Sequence, residues 1–285
     1  MTDRSTTFVS TDWLAAHLDD PAVAIIDGSW YLPTENRDAE AEHRKAHIPG
    51  AVFFNLDKVA DTSSGLPHML PAPEEFARAV GALGISDKQT IVVYDGAGLF
   101  SAPRVRWTFR TMGARDVRIL EGGFPQWIAD GRPVESGEAK PAPKVFAAKL
   151  DAAAVRSITE VRNIVATGSA TVVDARSGER FRGEAPEPRP GLRSGHMPGS
   201  RNLPSGALVA DGRLKGDAEI EAAFAAAGVD PNKPIVTSCG SGVTAAILAL
   251  GLETIGARNV ALYDGSWAEW GGAQDAPVVT GPADK

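Results

Sequence analysis

Four short segments of this chain occur twice, in the same order and at a nearly constant separation of about 145 residues. Ile25-Ile26-Asp27 is echoed by Val172-Val173-Asp174. His47-Ile48-Pro49-Gly50-Ala51 is echoed by His196-Met197-Pro198-Gly199-Ser200. Gly113-Ala114-Arg115-Asp116-Val117 returns as Gly256-Ala257-Arg258-Asn259-Val260. Gly123-Phe124-Pro125-Gln126-Trp127 returns as Gly265-Ser266-Trp267-Ala268-Glu269-Trp270. Chance matches would not keep both order and spacing, so the chain reads as a duplicated domain. A length of 285 residues accommodates two domains of about 150 residues each. The expected division is 1–135, a connecting segment 136–150, and 151–285. Pro141 and Pro143 disfavour helix in the connection and predict an extended one.

Each half alternates helical and β-rich runs. Residues 7–18 predict a helix capped by Ser10 or Thr11 with Asp12 in its first turn. Residues 22–26 and 90–94 predict strands, and 103–112 a helix. In the second half, 158–167, 219–227 and 244–255 predict helices, and 170–174 and 234–238 strands. Short aliphatic runs between helices imply an α/β fold: in each half a mainly parallel sheet covered by helices on both faces. The functional crevice of such a sheet lies at the carboxyl ends of its strands.

The formal net charge of −7 excludes the broad basic face of a general nucleic-acid binder, although a few local arginines can still hold a small anion. No apolar run approaches the ~18 residues of a membrane helix. Residues 1–7 lack the apolar core of a signal peptide, so the expected compartment is the cytoplasm. The chain has a single cysteine, Cys239, which excludes an internal disulfide, a cysteine-based zinc site and a CxxC redox pair. No metal is expected.

Cys239 follows the apolar run Pro234-Ile235-Val236-Thr237-Ser238 and opens Cys239-Gly240-Ser241-Gly242-Val243-Thr244, after which Ala245-Ala246-Ile247-Leu248 begins a helix. Strand, glycine loop and helix N-terminus together turn backbone N–H groups toward the sulfur and favour a thiolate. A lone cysteine is ordinarily an inert core residue; here its surroundings point to a nucleophile. In the first copy, Val92-Val93-Tyr94-Asp95-Gly96-Ala97-Gly98 aligns with this loop and places Asp95 where Cys239 stands. The first domain therefore has no nucleophile and is expected to wall one side of the site.

The cysteine loop, the duplication and the cysteine-free first copy resemble the rhodanese superfamily, and within it the 3-mercaptopyruvate sulfurtransferases, over nearly the whole chain. The resemblance implies two tandem rhodanese-like domains and sulfur transfer through a persulfide on Cys239, with no cofactor. Related thiosulfate enzymes carry two cations directly after the cysteine, where this chain has Gly240 and Ser241. Four arginines follow the strand ending at Asp174. Arg180 and Arg189 match the pair that holds 3-mercaptopyruvate in the resembled enzymes, and a guanidinium fork suits a 2-oxo carboxylate. Arg176 and Arg182 are expected to be solvated. The resemblance also implies a relay of Ser241, His68 and Asp57 across the two domains. Gly240, Gly242, Val243 and Thr244 are expected to bind substrate with the arginines. His47 and His196 recur in both copies and are expected to be architectural; His17 and His43, on expected helices, carry no signal.

The implied acceptors of the persulfide sulfur are cyanide, a small thiol or a thioredoxin-like protein. Two competing enzyme readings are thiosulfate sulfurtransfer and cysteine phosphatase chemistry. The second needs an arginine six residues after the cysteine, where this chain has Ala245. A non-catalytic persulfide carrier or binding module is a third. One departure from the animal sulfurtransferases is Phe100, where they have tyrosine before Ser101-Ala102-Pro103-Arg104.

Overall fold

Brief aliphatic and β-branched runs form the strands, and amphipathic segments between them form the covering helices. In the computed structural model, which describes residues 4–283, the first copy runs β1 (Phe8–Val9), α1 (Thr11–Ala15), β2 (Val23–Asp27), α2 (Ala39–Lys45), β3 (Val52–Phe53), α3 (Pro73–Ala82), β4 (Thr90–Tyr94), α4 (Ala102–Thr111), β5 (Asp116–Leu120) and α5 (Gly123–Ala129). The second runs β6 (Val155–Arg156), α6 (Ile158–Thr167), β7 (Thr171–Asp174), α7 (Gly178–Arg182), β8 (Arg201–Asn202), a small hairpin β9 (Val209–Ala210) and β10 (Arg213–Leu214), α8 (Asp217–Ala226), β11 (Ile235–Ser238), α9 (Ala245–Thr254), β12 (Val260–Tyr263) and α10 (Ser266–Trp270). Residues 1–3, part of the polar segment 1–7, lie outside the described residues.

Each copy builds a five-stranded sheet, in the orders β1-β5-β4-β2-β3 and β6-β12-β11-β7-β8, with every pairing parallel. The two orders are the same permutation, which is the spatial form of the sequence repeat. Side chains alternate across each strand. Ile91 and Val93 join a core that spans both domains, whereas Val92 and Tyr94 pack on the opposite face with Leu14 and Trp127. Val236, Tyr263, Trp267 and Trp270 form the corresponding outer cluster of the second domain. Trp127 and Trp270 are both fully buried, and each indole N–H donates to a proline carbonyl, of Pro133 and Pro277.

The expected helix over 7–18 is shorter, and a strand precedes it. Phe8 and Val9 pair with Ile119 and Leu120 at the sheet edge. Ser10 caps the helix by accepting the Trp13 N–H, and tertiary pairing overrides the local helical pattern. The proline-containing connection is extended but lies against the first domain. Lys144 N–H donates to the Gly81 carbonyl and Lys149 N–H to that of Met112. Phe146 is buried against Phe76 and Phe109, with ring centroids 5.4 and 6.0 Å apart. Phe109 also packs on Phe54 and Phe76. Phe109→Ala should therefore lower unfolding free energy by about 3–5 kcal/mol in urea titration, the usual cost of emptying a fully buried phenyl site. A loss under 1 kcal/mol would contradict this packing.

His47 and His196 are buried alike. Their Nδ1 atoms meet the carbonyls of His43 and Phe181, and each residue forms an isolated bridge, to Glu135 and Val279. His43 has a role that its sequence position did not disclose: it is buried on α2, 2.9 Å from the Asp27 carboxylate and stacked on His47. Among the described residues no helix is long and apolar enough to cross a membrane.

Candidate active site

In both sheets the chain reverses direction of travel between the second strand and the central one, leaving a crevice at their carboxyl ends. In the second domain β11 delivers Cys239 to that crevice and β7 delivers the arginine segment. A cavity of about 340 Å³ opens there, lined by Cys239, Gly240, Ser241, Val243, Thr244, Arg180 and Arg189 and walled by Trp30, Leu32 and Phe100 of the first domain. A larger hollow of about 750 Å³ lies under the amino-terminal starts of β11 and β12, away from the cysteine.

Cys239 is 2% exposed. Its N–H donates to Ser266 Oγ (3.2 Å), and its carbonyl accepts the Trp267 N–H (2.9 Å), so the turn into α10 fixes the residue from both sides. The N–H groups of Ser241, Thr244 and Ala245 donate to no acceptor among the described residues. The first copy shows what such a loop accepts. There the Asp95 carboxylate receives the N–H groups of Ala97, Phe100, Ser101 and Ala102 at 2.7–2.9 Å. Burial pushes the Asp95 carboxyl up, and these four backbone donors pull it down. The first loop is thus filled by its own side chain. The second, with a shorter thiol-bearing residue, leaves equivalent donors for a charge placed beyond the sulfur.

Of the two loop glycines only Gly242 requires a left-handed backbone (φ +78°), and a Cβ there would lie 2.6 Å from Arg104 Nη1. Gly242, expected among the substrate-binding residues, does not line the cavity; it backs the loop against Arg104. Gly240 does line it, close to the guanidinium of Arg180.

Ser241 meets two groups from elsewhere in the chain. Its Oγ is 3.1 Å from His68 Nδ1, and His68 Nε2 is 3.0 Å from Asp57 Oδ1. A carboxylate can only accept, so Nε2 donates toward Asp57, while Nδ1 faces both the Ser241 hydroxyl and the Ser241 carbonyl (3.4 Å), accepting from the first when bare and donating to either when protonated. The His68 hydrogen bond holds the Asp57 carboxyl below its ordinary value, and burial works against it. The Trp30 indole N–H also donates to Asp57 (3.2 Å), and its ring stands edge-on to His68 at 4.8 Å. His68 and Asp57 lie behind Ser241 and not on the cavity wall.

The arginines divide by partner. Arg176, expected to be solvated, is instead buried: it chelates Asp174, reaches Glu187 (2.7 Å) and stacks on Trp267. Two carboxylates repay its desolvation, which the charge run alone did not reveal. Arg182 pairs with Glu184 at the surface. Arg180 shares Glu187, with Nη2 at 2.5 Å. Arg189 makes one hydrogen bond among the described residues, to Ser241 Oγ (3.4 Å). Burial lowers its guanidinium below the ordinary value, opposed by the charge of Cys239 and abetted by that of Arg180. Arg176 and Arg180 are paired with Asp174 and Glu187, whereas Arg189 has no carboxylate within ion-pair distance among the described residues and feels that of Asp57 through space, so its guanidinium is the one left open to an anion beside the sulfur. No cluster of three or more His, Cys, Asp or Glu side chains suited to a metal occurs among the described residues.

A cysteine at the carboxyl end of a central parallel strand, held in a loop of inward amides and repeated without the cysteine in a first copy, defines the class. Residues 10–130 and 157–273 each match the rhodanese-like domain, and the chain belongs to the rhodanese family. It is 46% identical over 275 residues to 3-mercaptopyruvate sulfurtransferase of Escherichia coli strain K12, covering 96% of this chain and 98% of that one. It is 42% identical over 292 residues to the mitochondrial thiosulfate/3-mercaptopyruvate sulfurtransferase 1 of Arabidopsis thaliana, covering 95% and 77%. Among solved structures, the crystal structure of SseA from Escherichia coli, a 3-mercaptopyruvate sulfotransferase, superposes with a TM-score of 0.85 at 44% identity, covering 91% of this chain and 98% of that one.

Sequence reasoning had no local signal for Trp30, Glu187 or Asp264. Ser266 lies in the repeated segment and Arg104 in the Ser101–Arg104 stretch, so both could have been found by asking what those segments touch.

Proposed function

We propose that this chain is a sulfurtransferase that takes sulfur from 3-mercaptopyruvate onto Cys239 and releases pyruvate. The observation that carries it is the position of Ser241. Two residues from the nucleophile, its hydroxyl sits between His68 and Arg189, so a proton path and a carboxylate-binding cation converge beside one sulfur. The relatives named for this activity support the same reading.

Arg189 and Arg180 receive the carboxylate and carbonyl oxygens of the substrate. The Cys239 thiolate attacks the substrate sulfur; an S–S bond forms, the C–S bond breaks, and its electron pair passes into the pyruvate enolate. Arginine charge stabilises that enolate. The S–H proton of the new persulfide is the one the enolate carbon takes, passed across by the Ser241 hydroxyl and the His68 imidazole, with Asp57 orienting the ring. The persulfide anion left on Cys239 lies against the free loop amides, where Gly240, Val243 and Thr244 also close the cavity. An outside nucleophile removes the outer sulfur: cyanide, a small thiol or a thioredoxin-like protein. The scheme calls for no metal or organic cofactor. It extends to a cytoplasmic setting, where reducing conditions keep a single thiol available. Thiosulfate as a second donor is favoured by the dual name of the plant relative.

Intact mass measured after 3-mercaptopyruvate alone, without acceptor, should show one added sulfur on the chain, and none on Cys239→Ser. Absence of that adduct, or its presence on the variant, would overturn the reading. For the relay, His68→Ala should lower kcat about 10²-fold, the low end for a proton-transfer group. Because the His68 hydrogen bond holds the Asp57 carboxyl below its ordinary value, Asp57 stays charged through the ordinary carboxylate range and its contribution fades only as pH falls below that range. Wild type should therefore lose kcat in acid, and His68→Ala should show a flatter acid limb. An unchanged kcat in His68→Ala would remove His68 from the scheme.

A further inference from the structure

Arg104 and Asp264 form an ion pair across the domain interface, 1% and 3% exposed, that the chemistry above does not use. Arg104 Nη2 donates to Asp264 Oδ1 (2.6 Å) and to the His68 carbonyl (2.5 Å), while Nη1 reaches the Gly242 carbonyl (3.5 Å). The other Asp264 oxygen accepts the Leu70 N–H (2.7 Å). One pair thus grips the backbone on both sides of Met69 and the back of the cysteine loop. His68 itself has φ +61°, a conformation that a non-glycine residue keeps only where its surroundings impose it.

The fold does not require charge at these positions. Aligned through the cysteine loops, the repeat counterpart of Arg104 on α9 is Leu248, fully buried in an apolar core. Aligned through Trp127 and Trp270, the counterpart of Asp264 is Glu121, whose side chain is 39% exposed and 3.6 Å from Arg213. Burying two charges costs solvation, and Arg104 Nε is left without a hydrogen-bond partner as well. Apolar residues would pack the interface more cheaply, so the pair answers to geometry.

We infer that Arg104 and Asp264 are positioning residues: the pair holds the His68 backbone so that the imidazole meets Ser241, and it acts on turnover through His68. This rests on the relay proposed above. The expected consequence is a KM-against-kcat split, because the pair touches no part of the cavity that receives substrate.

The test is a double-mutant cycle of Arg104→Lys with His68→Ala, reading kcat and KM for 3-mercaptopyruvate with cyanide as acceptor. Lysine keeps the charge, but its single, shorter-reaching nitrogen cannot take the places of both Nη1 at Gly242 and Nη2 at His68 and Asp264. In the wild-type background kcat should fall roughly 10- to 100-fold, the scale of an ångström's misplacement, with KM little changed and an acid limb flattened as in His68→Ala. In the His68→Ala background the substitution should cause no further loss. Equal losses in both backgrounds, or an unchanged kcat, would overturn the inference. If Arg104→Lys does not fold, Asp264→Asn takes its place in the cycle, since it keeps volume and an acceptor for Leu70. Wild-type turnover separates the two claims. If the wild type uses only thiosulfate, the donor assignment and its relay fail and the inference falls with them; if it turns over 3-mercaptopyruvate but Arg104→Lys costs the same in both backgrounds, the positioning alone fails.

Discussion

Replacing Cys239 by serine should abolish sulfur transfer, with kcat/KM falling by at least about 10⁴-fold, the scale of losing a covalent nucleophile. A hydroxyl fits the site with little change in volume, so the loss should come without unfolding. Thermal denaturation should place Cys239→Ser close to wild type, since the contacts that fix this residue run through its backbone N–H and carbonyl. The first domain supplies no substitute: its equivalent position is Asp95, and its loop amides are already occupied by that carboxylate. A variant with a tenth of wild-type turnover would mean that sulfur moves without this thiol.

Arg189→Ala should be the next most damaging change, with kcat/KM for 3-mercaptopyruvate falling about 10²–10³-fold in steady-state assays. Hydrogen bonds to charged groups are worth about 1.5–3 kcal/mol each, and a guanidinium can offer two to a carboxylate. Among the described residues Arg189 has no carboxylate within ion-pair distance, whereas Arg180 is tied to Glu187 and Arg176 to both Asp174 and Glu187. Arg189→Ala should therefore cost more than Arg180→Ala. Arg189→Lys should recover only part of the loss, because an ammonium cannot bond two oxygens in one plane. Both kcat and KM should respond, since the same guanidinium donates to Ser241. If Arg189→Ala kept its kcat/KM for 3-mercaptopyruvate, the two-arginine account of the donor would fail.

Much of the architecture was legible because the repeat and the strand periodicity are local. The strand Thr90–Tyr94 and the helix Ile158–Thr167 have the bounds that their patterns predict. The segment 7–18 was misleading because Phe8 and Val9 take their state from partners more than a hundred residues away. The cysteine loop is a contiguous motif and could be read without the fold. The triad could not. Asp57 and His68 are 11 residues apart and His68 and Ser241 are 173 apart, so only a family resemblance pointed to their meeting. Arg176 looked like Arg182 in the sequence. What separates them is the buried pair Asp174 and Glu187, whose convergence on one guanidinium belongs to the folded chain. Arg104 and Asp264 lie 160 residues apart, and neither carries a local pattern that announces an interdomain pair.

The account turns on which donor loads Cys239. The most direct measurement is kcat/KM for 3-mercaptopyruvate and for thiosulfate on the same preparation, with cyanide as common acceptor and Cys239→Ser as control. Gly240 and Ser241 leave the loop without the cations expected of a thiosulfate site, and Arg189 stands ready for a carboxylate. The predicted result is a strong preference for 3-mercaptopyruvate that disappears in the variant. A preference for thiosulfate, or turnover that survives Cys239→Ser, would contradict the account.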